Sequence, residues 1–256
     1  MGWIELDGAA NVRDLGALAT EEGRVTAGHR LLRSDNLQDL SPGDVRRLVK
    51  DIGVTTVVDL RSPYEVASEG PGPLTQVGSV THEYLSLLPD LGEGTDAAVA
   101  LAIKRHDVAL ARYPDDLRCG YYLGYLEDRP DRVVTALRAI AQADGAALVN
   151  CAAGKDRTGV VIAMALSAAG VRPELVVADY AVSAERMDAI MGRLRATRTY
   201  QSEADTAPVA DQTPRAQTMT AFLRVIGERH GGALGWLAGH GFGSQDAAAL
   251  QAKLLA

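Results

Sequence analysis

Along the first two thirds of the chain, short runs without a helical period, some of them mainly apolar, alternate with longer segments whose apolar residues recur every three to four positions. The short runs predict strands, in part followed by a loop, at residues 30–37, 54–60, 82–87 and 146–151. The periodic segments predict helices at residues 41–51, 117–126, 132–143 and 157–169. This alternation is typical of an α/β fold with a largely parallel central sheet flanked by helices.

Past Gly170 the pattern changes, and only helical periodicity remains. It predicts helices near residues 173–182, 184–196, 215–229 and 244–254. A polar stretch with few apolar residues, 197–214, separates the second of these from the third. The sequence contains no internal repeats, and we expect a single domain over residues 1–256 with an all-helical C-terminal elaboration.

Composition and charge narrow the functional classes. The chain holds 26 Lys and Arg against 33 Asp and Glu, and this net charge of −7 disfavours nonspecific nucleic-acid binding, which depends on neutralising phosphates. The longest apolar run, about residues 160–171, is too short to span a bilayer, so we expect no integral membrane segment. The acidic start does not have the pattern of a signal peptide, which predicts a cytoplasmic location and leaves signal-less secretion open.

The most informative segment is residues 150–159, Asn-Cys-Ala-Ala-Gly-Lys-Asp-Arg-Thr-Gly. A cysteine ends a predicted strand, and an arginine stands six positions later at the start of an apolar helix. In such a turn successive backbone N–H groups can point inward, and the helix N-terminus adds partial positive charge. The small residues Ala152, Ala153 and Gly154 let a ligand approach the backbone. The segment therefore predicts a cradle for an anion.

The side chains of this loop suggest a reaction. The thiolate is the nucleophilic form of cysteine, and both a helix N-terminus and a nearby guanidinium favour it. Arg157 can hold two oxygens of a phosphoryl group with its planar fork, and Thr158 can donate a hydrogen bond to the sulfur when it leaves. These residues favour attack of Cys151 on phosphorus, forming a cysteinyl-phosphate that water then hydrolyses.

Other common motifs do not fit the same residues. A Walker A loop would need a glycine where Val149 stands and a serine or threonine where Asp156 stands. Cys119 and Cys151 are too far apart for a Cys-x-x-Cys motif, and Cys119 is expected to be a buried helix residue. No two histidines have the helical spacing of metal ligands, so we expect neither a metal nor another cofactor.

The loop from Cys151 to Gly159 resembles the signature loop of the cysteine-dependent protein tyrosine phosphatases, in particular the bacterial group typified by mycobacterial protein tyrosine phosphatase B. Three further segments are similar to motifs of that group: residues 11–16 (Asn-Val-Arg-Asp-Leu-Gly), 32–37 (Leu-Arg-Ser-Asp-Asn-Leu) and 58–62 (Val-Asp-Leu-Arg-Ser). The resemblance implies a phosphatase-type core and dephosphorylation of phosphotyrosine proteins without a metal. It also implies possible activity on phosphoserine, phosphothreonine and phosphoinositides. The expected partner is thus a phosphorylated protein or phosphoinositide.

The same resemblance assigns the general acid, which protonates the leaving oxygen, to Asp156. The chain lacks the Trp-Pro-Asp triplet from which many tyrosine phosphatases supply this proton. Asp59, at the C-terminal end of a predicted strand, is the second candidate, because ligand sites of open α/β sheets lie at that edge. It can equally pair with Arg61 or Arg157. Lys155 can contact an acidic substrate or be a solvated surface residue.

The resemblance further implies that the helical region, residues 172–240, forms a lid connected by residues 197–214; a plain surface linker is the alternative. One departure from the family concerns Asn150, which stands where a histidine usually precedes the nucleophile. This bears on thiolate activation, although an amide can still donate a hydrogen bond. A phospho-ligand-binding pseudophosphatase therefore stays open, as does a sulfurtransferase, against which the Arg-Thr-Gly ending argues. The sequence does not settle the oligomeric state, and we favour a monomer.

Overall fold

Six short strands form one sheet in the computed structural model, which describes residues 2–88, 106–201 and 208–256. In chain order the strands are β1 (Gly2–Trp3), β2 (Arg13–Asp14), β3 (Leu31–Ser34), β4 (Val54–Asp59), β5 (Thr81–Tyr84) and β6 (Ala146–Asn150). They lie side by side in the order β1-β2-β3-β6-β4-β5. Strands β3, β6, β4 and β5 run parallel to one another, and β2 and β1 extend the sheet beyond β3 as antiparallel strands. The largely parallel sheet predicted from the sequence is therefore confirmed.

Helices connect the strands of the core and dominate the last third of the chain. In chain order they are α1 (Pro42–Arg46, continued by a π-helical segment, Arg47–Ile52), α2 (Pro63–Glu69), α3 (residues 106–112), α4 (Leu117–Asp128), α5 (Pro130–Gln142), α6 (Asp156–Ala168), α7 (Pro173–Val182), α8 (Met187–Arg195), α9 (Val209–Gln212), α10 (Ala216–His230), α11 (Ala233–Gly239) and α12 (Ser244–Leu254). The predicted segment 184–196 begins as a 3-10 turn and continues as α8. Helices α2, α3, α9 and α11 are not among those predicted from the sequence. Within the described ranges, none of the helices is both long and apolar enough to cross a membrane.

Alternate residues of the central strand β6 pack on opposite faces of the sheet. Ala147 and Val149 join the larger apolar core, in which α6 is buried along nearly its whole length. Ala146 and Leu148 join a smaller core on the other face, together with Leu48 of the π-helical segment. A parallel strand covered on both faces requires a continuous apolar sequence, which is why residues 146–149 show no alternation. The loop that follows β6 therefore starts from a rigid support.

The C-terminal helices divide into two packing groups. Tyr180 of α7, Phe222 of α10, Trp236 of α11 and Leu250 of α12 belong to the same buried core as α6. The apolar face of α8 instead forms a separate cluster that includes Ala152, next to the loop cysteine. The helical region thus extends the main core, and one of its helices packs directly on the loop after β6.

Candidate active site

Cys151 lies directly after β6, at the edge of the sheet where the parallel strands end. Its side chain is buried, and it lines a cavity of about 200 Å³ together with Asp156 and Arg157. Helix α6 begins at Asp156, so its N-terminus, with its partial positive charge, follows the loop. This is the strand–loop–helix arrangement predicted from residues 150–159.

The loop carbonyls are held from outside the loop. Three consecutive ones accept hydrogen bonds: Ala152 O from Asn36 N (3.1 Å), Ala153 O from Asn11 Nδ2 (3.0 Å) and Gly154 O from Arg33 Nη2 (2.6 Å). In a trans peptide the N–H of the next residue points opposite to the carbonyl. The N–H groups of residues 153–155 therefore face the other way, into the loop, as an anion cradle requires.

Gly154 allows the loop to lie tightly against the end of β3. Its φ of +63° is in the left-handed region, and a Cβ atom there would lie 2.4 Å from Ser34 O and 2.5 Å from Asp35 N. Both neighbours are backbone atoms that have no free rotation with which to give way. Only glycine fits this position without moving the loop.

The groups that hold the carbonyls of residues 152–154 come from two of the family-like motifs, residues 11–16 and 32–37. Asp179 of α7 accepts from Arg13 Nε at 2.8 Å and from Arg33 Nη1 at 2.5 Å. Arg13 also donates to Asn11 Oδ1 at 2.6 Å, which turns the Asn11 amide nitrogen towards the loop. Burial raises the pKa of Asp179, but the two guanidinium groups outweigh it and hold that pKa below its usual value. An ionised Asp179 thus fixes the residues that shape the cradle.

Arg157 is held in place by a carboxylate. Its Nη1 and Nη2 donate to the two oxygens of Glu65 at 2.7 and 2.8 Å, and Nη1 also donates to Leu60 O at 3.1 Å. Glu65 in turn accepts from Ser62 N at the start of α2. Burial raises the pKa of Glu65, but Arg157 and the Ser62 amide outweigh this and hold it at about 2. The plane of the guanidinium beside Cys151 is therefore fixed by an ion pair.

Tyr200 reaches the same pair from the helical region. Its hydroxyl donates to Glu65 and accepts from Arg157 Nη2 at 3.1 Å. Tyr200 lines the cavity with Met191 and Leu194 of α8. The C-terminal region thus supplies one wall of the cavity that contains Cys151.

Asp156 lies half-buried at the cavity, held by groups that favour its charged form. Its Oδ1 accepts from the Tyr122 hydroxyl at 2.5 Å, and its Oδ2 lies 3.3 Å from Lys155 Nζ. Burial raises the pKa of Asp156, but Lys155, Arg118 and Tyr122 together outweigh it and lower the pKa below its usual value. Lys155 is itself buried and donates to Gln212 O at 2.6 Å, so the reading of Lys155 as a solvated surface residue is wrong.

Asp59 lies elsewhere. It is buried, and Arg61 donates to both of its oxygens, from Nε at 3.0 Å and from Nη2 at 2.7 Å. Asp59 is not among the described residues that line the cavity of Cys151. The sequence leaves open whether Asp59 pairs with Arg61 or with Arg157, and the structure shows that it pairs with Arg61.

Three other predicted positions have different outcomes. Cys119 is buried in α4, as predicted, and burial raises its pKa to about 12. Within the described part of the chain, the side chains of Asn150 and Thr158 are buried without a hydrogen-bond partner. The amide donation expected of Asn150 is therefore not made. Donation from Thr158 to the departing sulfur stays a prediction.

Three side chains of the site, Glu65, Tyr122 and Tyr200, are not predicted from the sequence. A signal for Glu65 exists, because Ser62 followed by Pro63 and by Glu65 repeats the helix-start pattern recognised at residues 41–44. The two tyrosines carry no comparable local signal. Their contacts to Asp156 and Glu65 join positions 34 and 135 residues apart. Among residues 2–88, 106–201 and 208–256, no group of three His, Cys, Asp or Glu side chains could hold a metal ion.

A cysteine at the end of a central parallel strand, in a backbone anion cradle and beside a fixed arginine, defines the class of cysteine-dependent phosphatases. The model of the tyrosine phosphatase family matches residues 4–256, so the chain belongs to that family.

Relatives agree with this assignment. The chain is 30% identical over 245 residues to the triple specificity protein phosphatase PtpB of Mycobacterium tuberculosis, covering 88% of this chain and 84% of that protein. It is 28% identical over 231 residues to a tyrosine-protein phosphatase of Nostoc commune, covering 87% of this chain and 73% of that protein. The family resemblance and the phosphatase-type fold are confirmed. The chain is a cysteine-dependent phosphatase that hydrolyses phosphomonoesters through a cysteinyl-phosphate, and neither the pseudophosphatase nor the sulfurtransferase finds support.

Proposed function

We propose that Cys151, Arg157 and Asp156 carry out this hydrolysis in two steps. Cys151 attacks phosphorus while Arg157 and the backbone N–H groups of residues 152–157 hold the three non-bridging oxygens. Asp156 gives a proton to the leaving oxygen as the P–O bond breaks. The resulting carboxylate then takes a proton from water, which attacks the cysteinyl-phosphate and releases phosphate and the Cys151 thiolate.

One observation carries this proposal. Cys151, Asp156 and Arg157 line a single cavity, and the guanidinium of Arg157 is held there by both oxygens of Glu65. A guanidinium fixed in this way is already oriented before the substrate binds, and preorganised donors stabilise a transition state more than mobile ones do.

Asp156 is the better candidate for the general acid. Asp59 is engaged by Arg61 away from this cavity, whereas Asp156 is half-buried at it. The lowered pKa of Asp156 is compatible with the role, because a bound phosphate dianion adds negative charge nearby and favours the protonated form. The same dianion attracts Lys155 and so weakens one of the contacts that stabilise the carboxylate.

Asparagine in place of Asp156 is expected to lower kcat/KM for phenyl phosphate by about 10²-fold or more, because the basic leaving group then departs without a proton. The fall in rate on the basic side of the pH–rate profile, where the acid loses its proton, is expected to disappear. Asp59→Asn is the matched control and should keep this basic limb. If the limb survives in Asp156→Asn and is lost in Asp59→Asn, the assignment is reversed.

We propose phosphotyrosine proteins as the main substrates, with phosphoserine, phosphothreonine and phosphoinositides as further ones. Leu88, Tyr125 and Met191 give the cavity apolar and aromatic walls suited to a phenyl ring. The name of the Mycobacterium tuberculosis relative assigns triple specificity to that protein, which supports the broader range here. Lys155, beside the cavity, would contact the phosphorylated group or an acidic neighbour. Side-by-side assays of phosphopeptides and phosphoinositides rank these substrates.

We further propose one domain over residues 1–256, in which residues 172–240 include a lid over the cavity. One wall of the cavity is already formed by Met191, Leu194 and Tyr200. The Tyr200 hydroxyl accepts a hydrogen bond from Arg157 Nη2, which a phosphate oxygen needs as its own donor. The connection expected at residues 197–214 lies partly outside the described residues. We also propose a cytoplasmic location and a monomeric state.

Phenylalanine in place of Tyr200 is expected to tighten the binding of inorganic phosphate by about 2- to 10-fold. In this variant phosphate no longer has to displace the Tyr200 hydroxyl from Arg157 Nη2. The measurement is the inhibition constant of phosphate against an aryl phosphate substrate. Tyr113→Phe, which removes a surface hydroxyl bound by Arg224, should leave that constant unchanged. Weaker phosphate binding in Tyr200→Phe would instead mean that Tyr200 helps to hold the phosphate.

A further inference from the structure

A line of hydrogen bonds leads from Arg118 of α4 to Asp156. The Tyr122 hydroxyl lies 2.5 Å from Asp156 Oδ1 and 2.8 Å from the Tyr180 hydroxyl. Arg118 hydrogen-bonds the Tyr180 hydroxyl, and its Nε lies 3.9 Å from Asp156 Oδ1. Four side chains from α4, α6 and α7 are thus joined in the order Arg118, Tyr180, Tyr122, Asp156.

The chemistry of the two ends fixes the direction of this line. Arginine can only donate, and a carboxylate can only accept. The Tyr180 oxygen therefore accepts from Arg118, the Tyr180 hydrogen points to Tyr122, and the Tyr122 hydrogen points to Asp156. Each hydroxyl makes one donation and accepts at least one, so both buried groups are satisfied only in this direction.

The Tyr122 hydroxyl is held with little freedom. Tyr122 and Tyr180 are both buried, and the Tyr122 ring meets the rings of Tyr180 and Phe222 edge-on at 6.0 and 6.2 Å. Burial, with the negative charge of Asp156 next to it, raises the pKa of Tyr122 well above its usual value. Tyr122 therefore keeps its hydrogen across the working pH range and remains a donor.

We propose that Tyr122 is a positioning residue for the general acid, and that its hydrogen bond to Oδ1 restricts the catalytic proton of Asp156 to Oδ2. An oxygen that accepts from Tyr122 is a poor place for that proton. The protonated acid therefore carries it on Oδ2, once the bound phosphate dianion has drawn Lys155 away from that oxygen. Tyr180 and Arg118 keep the Tyr122 hydrogen pointing at Asp156. This inference rests on the proposed role of Asp156 and extends it to residues that do not touch the substrate.

Tyr122→Phe tests the inference with two substrates that differ in their need for a proton. We expect kcat/KM to fall about 10-fold for phenyl phosphate, whose leaving group is basic, and to change little for 2,4-dinitrophenyl phosphate, whose leaving group departs unprotonated. Losing a donor to the carboxylate should also move the basic limb of the pH–rate profile upward by about one pH unit. A purely structural loss would lower both substrates alike and leave the limb in place.

Tyr180→Phe is the second variant, and Tyr113→Phe is the control. Tyr180→Phe leaves the Tyr122 hydroxyl on Asp156 but removes its own support, so it should shift the limb and the substrate ratio in the same direction by less. Tyr113→Phe should shift neither. The thermal midpoint of each variant shows that the chain is folded.

Asp156→Asn separates the two ways in which the idea can fail. If it lowers both substrates equally, Asp156 is not the acid, and both the proposed function and this inference are overturned. If it discriminates between the substrates while Tyr122→Phe and Tyr180→Phe do not, the inference alone is overturned. Discrimination by Asp156→Asn and Tyr122→Phe, with the upward shift of the limb, supports both.

Discussion

Serine in place of Cys151 is expected to reduce kcat/KM for a phosphotyrosyl peptide by about 10⁴-fold or more. A hydroxyl is a far weaker nucleophile than a thiolate. Among the described side chains that line the cavity there is no histidine, and the one carboxylate is Asp156, which the mechanism uses for the leaving oxygen. The cradle and Arg157 remain, so the variant should still bind the peptide. Turnover and equilibrium binding, measured on the same preparation, separate the two effects.

The other cysteine provides the control. Cys119 is buried in α4 and does not line the cavity of Cys151, so Cys119→Ser should keep its activity per folded molecule. Substantial turnover by Cys151→Ser, or loss of turnover only in Cys119→Ser, would show that the attacking atom has been misassigned.

Lysine in place of Arg157 is expected to lower kcat/KM by about 10³-fold although the charge is kept. Arg157 presents a planar fork that can match two phosphoryl oxygens, and a lysine offers a single point of contact. Lysine also cannot reproduce the two parallel hydrogen bonds to Glu65, so the group beside Cys151 loses its fixed orientation. Removing one preorganised donor from a charge-stabilising site costs roughly 10²- to 10³-fold in comparable enzymes.

A second buried arginine serves as the matched control for this change. Arg61 is paired with Asp59 in a similar buried arrangement away from the cavity. Arg61→Lys should lower the thermal midpoint and leave kcat/KM nearly unchanged. If the two variants lose activity to the same degree, the effect of Arg157→Lys comes from stability and not from phosphate binding.

The core of the fold could be predicted because its elements carry their own signals. The continuous apolar run of residues 146–149 indicates a central strand, and the helix start at Ser41 is capped as its sequence indicates. Helix α2 has the same kind of start at Ser62, but it is only seven residues long and too short to show a clear apolar period. The two-residue strands β1 and β2 lie below the length at which any period can be recognised.

The candidate site could be predicted in part for a related reason. Its centre, Cys151 to Arg157, is contiguous in sequence, so spacing alone indicates the chemistry. The groups that tune it come from distant positions: Glu65 accepts from Arg157 across 92 residues, and Lys155 donates to Gln212 O across 57. Whether a charged side chain is solvated or paired depends on these long-range contacts, which a single sequence does not record.

Hydrolysis through a cysteinyl-phosphate requires a phosphoryl group bonded to the Cys151 sulfur during turnover. Asp156→Asn, in which the second step should be slowed, is mixed with 2,4-dinitrophenyl phosphate, whose leaving group departs unprotonated, so that the first step stays fast. The mixture is quenched with denaturant within milliseconds, and the protein is analysed by mass spectrometry of its peptides. We predict that the peptide containing Cys151 gains the mass of one phosphoryl group and that Cys151→Ser shows no such gain. Full turnover with no phosphoryl group on Cys151, or with the group on another residue, would contradict the account.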